Sequence, residues 1–281
     1  MKRITNLIIL ALTVLTSAFG QEVSIMTYNI RYNNVNDGEN RWDQRKETLL
    51  GQIIFFAPDV FGIQEGLEDQ VKYLDENLPE YNYEGVARAD VKEGGKGEYS
   101  AIFYNFKMFK KLKGGTFWLS KTPEKPSRGW DASLNRICTY VLLKDKKTNK
   151  KFWVFNTHFD HKGVTARMES AKLIIKKIAE FNRDNTPVFL TGDLNLLPDS
   201  EPIQFISGKM NDSRKVSKLA PYGPTATFNS FKVCEAPSKR IDYIFTSPDN
   251  IIIKKYGVLA EVQDLKYPSD HFPVLVVAEI Q

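Results

Sequence analysis

The sequence predicts an α/β protein: a four-layer α/β/β/α sandwich in which two mostly antiparallel sheets pack together and helices cover both outer faces. Three observations predict it. Strand-like runs outnumber helical ones along the chain. Several of those runs are apolar on both faces, so each needs cover on two sides. No internal repeat, low-complexity tract or linker divides the chain into parts.

The opening residues stand apart from that pattern. Lys2 and Arg3 precede an apolar run over 7–15 and then Ser17-Ala18-Phe19-Gly20, small residues placed for cleavage. This is the pattern of a secretory signal peptide, with an apolar core too short to span a bilayer. Residues 1–20 are therefore excluded from the fold, with removal expected near Gly20, and 21–281 form one domain. A secreted or periplasmic location follows. No cysteine lies near the cleavage site to carry a lipid, and no other segment approaches a membrane span, so no stable membrane association is expected.

Composition narrows the class further. With 42% hydrophobic and 26% charged residues, the chain reads as a soluble globular protein. Losing Lys2 and Arg3 takes the formal charge from +5 to +3, with basic residues scattered among acidic ones. Such a surface tolerates a phosphate-bearing partner without selecting nucleic acid. Export makes a Cys138–Cys234 disulfide chemically possible, but Cys138 sits in a strand-like run where a free thiol also packs as a small hydrophobe. Spacing does not decide between the two.

The elements follow in order. A β-rich run at 23–30 ends at Asn29. Leu49, Leu50, Ile53, Ile54 and Ala57 have helical spacing and place a helix over 41–57, stopped before Pro58. A short apolar strand at 59–65 delivers Glu65, and a second helix covers 67–78 on the stripe Leu67, Val71, Leu74, Leu78. Strands are expected at 81–87, 98–105 and 115–119, with a glycine-rich turn at 93–97. The stretch 120–135, with two prolines, Gly129 and Trp130, reads as a long surface loop. Strands at 136–143 and 151–158 flank a polar turn and form an antiparallel hairpin. A helix over 165–182 faces the core with Met168, Ala171, Ile175, Ile178 and Ala179, and Arg167 on it is expected to pair with an acidic neighbour. After the strand 187–193 come a short helix at 201–207, a polar region to about 239, and strands at 240–245, 251–259 and 271–280.

Polar side chains gather at the ends of these strands. The run PVFLTGDLN at 187–195 carries the chain to a turn at Gly192 and releases Asp193 and Asn195. Asn29 and Glu65 end the first two strands. His158 ends a strand whose two-residue alternation gives it the same face as Asn156, Val154 and Phe152. Asp242 lies near the start of the strand 240–245, and Asp270-His271 precedes the final strand. One rim thus collects carboxylates, amides and imidazoles, without a cysteine or serine nucleophile. Oxygen-rich ligands with few histidines suit Mg²⁺, or Mn²⁺ as a substitute, better than Zn²⁺. Glu65 is the expected principal ligand. His158, His271 and Asn195 are then free to contact phosphate oxygens, Asp193 to orient an attacking water, and Asp242 or Asp270 to hold His271 cationic.

The motifs TYN, QE, NTH, GDLN, RIDYIF and SDH, in this order over about 23–280, resemble the endonuclease/exonuclease/phosphatase superfamily with the deoxyribonuclease-I-like fold. The pairing of GDLN with SDH is specific where either alone is weak. The resemblance implies an α/β/β/α sandwich and Mg²⁺-dependent hydrolysis of a phosphate ester without a covalent enzyme intermediate. By position it implies metal contacts for Glu65, Asn29 and Asp270, and phosphoryl contacts for His158 and His271. It implies water positioning by Asp193 and Asn195, support of His271 by Asp242, and a phosphate contact at Arg136. His161 and Trp130 are further substrate-contact candidates. Arg31 departs from the pattern, because the abasic-site nucleases of the superfamily are acidic there; a repair nuclease and a second metal at that point are disfavoured. FWLS at 117–120, GWDA at 129–132 and NTHFDH at 156–161 resemble secreted bacterial members of uncertain substrate.

The resulting expectation is an exported, monomeric, Mg²⁺-dependent phosphoesterase acting on a soluble phosphodiester or phosphomonoester. Nuclease, nucleotide hydrolase, sugar-phosphate hydrolase and inositol-phosphate phosphatase are not separated by the loops 88–97, 121–135 and 208–239. Two other readings compete. A binding module that has lost catalysis would have no need of a water-activating carboxylate. A phospholipid phosphodiesterase would carry an apolar membrane-docking hairpin, which this sequence lacks.

Overall fold

The computed structural model describes residues 21–89 and 97–281. The signal peptide expected at 1–20 and most of the glycine-rich turn at 93–97 lie outside the described residues. Strands β1 (Gln21–Asn29), β2 (Val60–Gln64), β3 (Tyr81–Glu84) and β4 (Ile102–Asn105) alternate with helices α1 (Trp42–Phe56) and α2 (Glu68–Asn77). Then come β5 (Phe109–Trp118), β6 (Ile137–Asp145), β7 (Lys151–His158), α3 (Val164–Phe181), β8 (Val188–Asp193) and α4 (Glu201–Ser207). The chain closes with β9 (Asn211–Asp212), α5 (Ser213–Val216), β10 (Asp242–Thr246), β11 (Ile251–Val258) and β12 (Val274–Ile280).

The strands form two six-stranded sheets, ordered β11-β12-β1-β2-β4-β3 and β5-β6-β7-β8-β10-β9. Pairing is antiparallel except at β1–β2 and β7–β8, one parallel pair in each sheet. Those two exceptions place the site. Parallel neighbours finish at the same edge, so Asn29 pairs in register with Gln64, one residue before Glu65, and His158 pairs with Asp193. β10 runs against β8 and begins there, with Asp242 opposite Asp193.

Three apolar clusters correspond to the three interfaces of a four-layer sandwich. Between the sheets lie Val23, Ile25, Val60, Val154, Phe189 and Ile244. Met26, Tyr28, Phe61 and Ile63, from the outer face of the first sheet, meet Leu49 and Ile53 of α1 and Val71 and Leu74 of α2. Trp153, Phe155, Leu190 and Tyr243, from the outer face of the second, meet Ala171 and Ile174 of α3 and Ile203 of α4. Each Val, Ile or Phe fully buried in these seams contributes roughly 1.5–3 kcal/mol over exposure. The two-residue alternation that sends Val23 and Ile25 inward also sends Asn29 inward, and likewise His158 after Phe152 and Val154.

Several expectations are corrected. On α1, Ile54 is exposed and Arg45 is buried. On α3 the fully buried positions are Ala166, Ser170, Ala171 and Ile174; Ile175 and Ile178 pack half-buried against the core as expected, while Ala179 is exposed. Arg167 donates to the carbonyl of His161 at 3.4 Å instead of pairing with an acid. The strand expected at 115–119 starts at Phe109, because a register shift between Lys111 and Lys113 lets a lysine-rich edge strand pair. The polar region after 208 contains β9 and α5. Cys138 is buried and Cys234 exposed, and both are free thiols.

Candidate active site

Beneath the rim the inter-sheet seam changes from apolar to polar. Gln64 donates to Thr27 Oγ1 at 3.0 Å and to Asn156 Oδ1 at 2.7 Å, and Thr191 Oγ1 donates to the same Asn156 oxygen at 3.0 Å. Asn156 Nδ2 in turn donates to the Ile63 and Ala101 carbonyls. Gly62 leaves room for this belt, since a Cβ there would stand 2.5 Å from the Asn156 side chain. A buried hydrogen-bonded network of this kind rigidifies the floor on which the strand ends rest, although Gln64 Oε1 is left without a partner in it.

On that floor Asn29 is the hub. Its Nδ2 donates to Glu65 Oε1 at 3.1 Å and to Asp193 Oδ2 at 3.0 Å. Glu65 Oε2 also accepts from the Tyr32 N–H at 3.2 Å, and Asp193 Oδ1 from the Asn195 N–H at 2.8 Å. Glu65, Asp193 and His271 each offer an atom within 4.8 Å of the others. Three residues at this edge occupy the left-handed region unusual for side chains other than glycine: Arg31 at φ 53°, Glu65 at 64° and Asn195 at 50°. Such conformations persist where surrounding bonds over-determine them, and they concentrate at functional sites.

The two inward histidines are in opposite states. His271 is buried, which would lower its pKa, but its Nδ1 stands 2.9 Å from Asp242 Oδ2. That carboxylate, with Asp193 and Asp270, outweighs burial and holds the imidazole well above its ordinary value, hence cationic. His158 is pushed well below its ordinary value by burial and by the Arg136 and Arg88 guanidinium groups, hence neutral. The Asn195 amide donates to the Phe159 carbonyl at 3.1 Å and meets His158 Nε2 at 3.0 Å, so Nε2 is an acceptor and Nδ1 bears the proton. Burial and the facing carboxylate of Asp242 raise Asp193 to about 7. Burial, with Glu65 nearby, raises Asp270 to about 6 against the pull of His271.

Above the cluster opens a cleft of about 740 Å³. Glu65, His158, Asp193, Asn195, Asp270 and His271 line it, as do Arg136 and His161. Asn29 and Asp242 lie beneath, acting on the lining through hydrogen bonds. Trp130, expected as a substrate contact, does not line the cleft. Arg136 is buried, not a surface residue. Its Nε meets Asp160 Oδ2 at 3.4 Å and its Nη2 meets His161 Nδ1 at 3.2 Å, while Nη1 is buried without a partner. An unmatched guanidinium N–H at a cleft wall is a ready anion donor.

Other lining residues gave no periodic signal in the sequence. Arg31 forks onto Asp37 at 2.8 and 2.9 Å and lies 3.8 Å from Asp270. Glu98 pairs with Arg88 at 2.6 Å and presents its other oxygen 3.8 Å from His158 Nδ1. Phe228 stands edge-on to His271 with centroids 5.0 Å apart, and the Lys239 ammonium lies 5.9 Å from the Phe228 ring centre. The one available signal was position: Glu98 heads the expected strand 98–105, and Lys239 abuts RIDYIF.

The donor set fits a hard divalent cation. Three carboxylates, Glu65, Asp193 and Asp270, share one cleft, and the raised values of two of them reflect buried charge that a cation would relieve. His271 is an unsuitable ligand while Asp242 keeps it protonated, since an imidazolium has no lone pair to give. Glu65 and Asp193 are the members of the cluster that could hold the ion, with Asp270 adjacent.

A double-sheet sandwich with this rim of carboxylates, amides and imidazoles gathers the groups that phosphate-ester chemistry calls for. The chain belongs to the endonuclease/exonuclease/phosphatase family, whose model matches residues 26–271. Among solved structures it is similar to a mannosyl-6-phosphatase of Bacteroides thetaiotaomicron VPI-5482, at 39% identity and TM-score 0.85 over 91% of this chain and 99% of that one. It is also similar to an endonuclease/exonuclease/phosphatase family protein of Bacteroides thetaiotaomicron, at 37% identity and TM-score 0.88 over 93% and 99%. Protein angel of Drosophila melanogaster is 30% identical over 61% of this chain and 48% of its own length. The chain spans about half the length of the curated relatives it matches.

Proposed function

We propose that this chain is an exported phosphoesterase that uses Mg²⁺ to hydrolyse a soluble phosphate ester, with a sugar phosphate as substrate. The observation that carries the reaction class is the meeting of Glu65, Asp193 and His271 within 4.8 Å, in a cleft that Arg136, with its unpartnered Nη1, also lines. The substrate class is supported by the likeness to a mannosyl-6-phosphatase over nearly the full length of both chains. Export rests on the pattern of residues 1–20. No described helix is long and apolar enough to cross a membrane.

In this reading Glu65 holds the metal with Asp193 beside it, and the bound ion would polarise the phosphoryl group and withdraw its charge. Asp193 Oδ2 orients a water and accepts its proton as the new P–O bond forms. Arg136 Nη1 and the His271 imidazolium hold the phosphoryl oxygens as charge shifts onto them. The Asn195 amide, bonded to His158 Nε2 and to the Phe159 carbonyl, fixes the neutral imidazole at the cleft wall beside the phosphoryl site. When the bond to the leaving alcohol breaks, the proton on His271 is available to its oxygen, and Asp242 keeps that proton in place until then.

The test is a substrate panel with the full chain and Mg²⁺: mannose 6-phosphate, glucose 6-phosphate, nucleotides, single-stranded RNA and DNA, and phospholipid vesicles. Release of inorganic phosphate from the sugar phosphates, with the highest kcat/KM in the panel, is expected. Preferred cleavage of nucleic acid would reassign the substrate and keep the reaction. A folded protein that hydrolyses none of them would refute the proposal and favour a binding role.

A further inference from the structure

The backbone turn after Asn29 is held in a conformation its sequence does not favour, with Arg31 at φ 53°. What holds it is Arg45, on the inward side of α1. This arginine is only 4% exposed, and every one of its hydrogen bonds goes to a backbone carbonyl. Nε donates to Asn40 O at 2.9 Å, Nη1 to Ile30 O at 2.6 Å and Pro268 O at 3.1 Å, and Nη2 to Arg31 O at 2.6 Å. Taking a cation out of water without a counter-charge is expensive. A leucine or methionine would fill the same position in the apolar face of α1 without that cost.

The bonded carbonyls explain the choice. Ile30 and Arg31 follow directly on Asn29, whose amide bridges Glu65 and Asp193. Pro268 directly precedes Ser269-Asp270-His271. Ser269 Oγ closes the same seam by donating to the Asn29 carbonyl at 2.7 Å, and Gln70 adds a bond to Arg31 O at 2.9 Å. The guanidinium therefore ties two chain segments, distant in sequence, that carry opposite sides of the cluster. We infer that Arg45 is a positioning residue for the catalytic centre, setting the distance between the Asn29–Glu65 side and the Asp270–His271 side. Only a planar fork with five N–H donors reaches these carbonyls together; an ammonium on a flexible stem holds fewer and fixes no plane. This assignment rests on the cluster being the hydrolytic centre, as proposed above.

The experiment uses the full chain with Arg45→Lys and Arg45→Met, and Ile53→Ala on the same helix as a stability-matched control. Three quantities are measured well below the melting temperature: the urea midpoint, Mn²⁺ affinity without substrate, and kcat and KM for p-nitrophenyl phosphate. Both Arg45 variants should lose about 10–100-fold in Mn²⁺ affinity or kcat, the usual scale for residues that orient a metal's ligands, with KM changed much less. Ile53→Ala should lose stability and keep both. Should Arg45→Met fail to fold, Arg45→Lys and Ser269→Ala carry the test, the latter with a smaller loss in the same direction. Arg45 variants that lose stability yet keep wild-type Mn²⁺ affinity and kcat would reduce Arg45 to a structural residue and overturn the inference. If the wild type turned over no ester, the hydrolytic reading would fall while the Mn²⁺ titration still decided the role of Arg45.

Discussion

Single side chains in this cleft take their properties from what they are tied to. Asp160 shows this outside the metal cluster. Its carboxylate accepts from the backbone N–H groups of Ser133, Leu134, Lys162 and Gly163, and from Arg136 Nε. Burial alone would raise its pKa, but those N–H groups and the Arg136 guanidinium hold it well below the ordinary carboxylate range. Asp160 thereby fixes both loops that present Leu134, Arg136 and His161 to the cleft. The sign of the linkage is definite: a depressed folded pKa gives stability that is complete above the unfolded value of about 4 and shrinks as pH falls below it. Asp160→Asn should therefore melt lower than wild type at pH 7, with the gap narrowing below about pH 4. A gap that stays constant from pH 7 to pH 3 would contradict this role. Asp160 lies inside NTHFDH, but a loop aspartate is most often only a turn former, and its partners Ser133 and Gly163 are not visible from spacing.

At the scale of elements, the strand ends were legible and the loops were not. Two-residue alternation fixes which face Asn29, His158 and Asp193 occupy, and a change from apolar to polar at the end of TYN, NTH and GDLN marks the rim. Helical spacing found α1 and α2, but a count of apolar residues alone could not expose Arg45 as buried or Ile54 as exposed. The left-handed turns at Arg31, Glu65 and Asn195 carry no glycine to announce them. The turn at Gly192 does announce itself, and its reason is specific. It sits at φ 149°, and a Cβ there would come within 2.1 Å of the Thr157 carbonyl on the parallel neighbour β7. Gly192→Ala should destabilise the protein by about 1–3 kcal/mol, the range for overpacking, and should lower kcat because Asp193 is the next residue. An unchanged urea midpoint would show that β7 and β8 do not approach as described.

For the whole molecule, two sheets each with one parallel pair bring four strand ends to one edge, and the candidate site of Glu65, Asp193 and His271 is gathered there. The order of motifs along the chain sufficed for the fold class, since the sandwich brings distant segments together in one way. It did not suffice for Trp130, which does not line the cleft, nor for Arg88 and Glu98, whose pairing carries no spacing signal. Substrate preference is the least legible part, since the segments 88–97, 121–135 and 208–239 carry no motif that separates one phosphate ester from another. The most direct measurement of the central claim is the rate of mannose 6-phosphate hydrolysis by the full chain, stripped with EDTA and then titrated with Mg²⁺. The expected result is no turnover after stripping and saturable recovery with Mg²⁺, with Asp193→Asn and His271→Ala each about 100-fold or more below wild type at saturation, the scale of positioned acid–base and electrostatic groups. Equal rates with EDTA and with Mg²⁺, or wild-type rates in both variants, would contradict it.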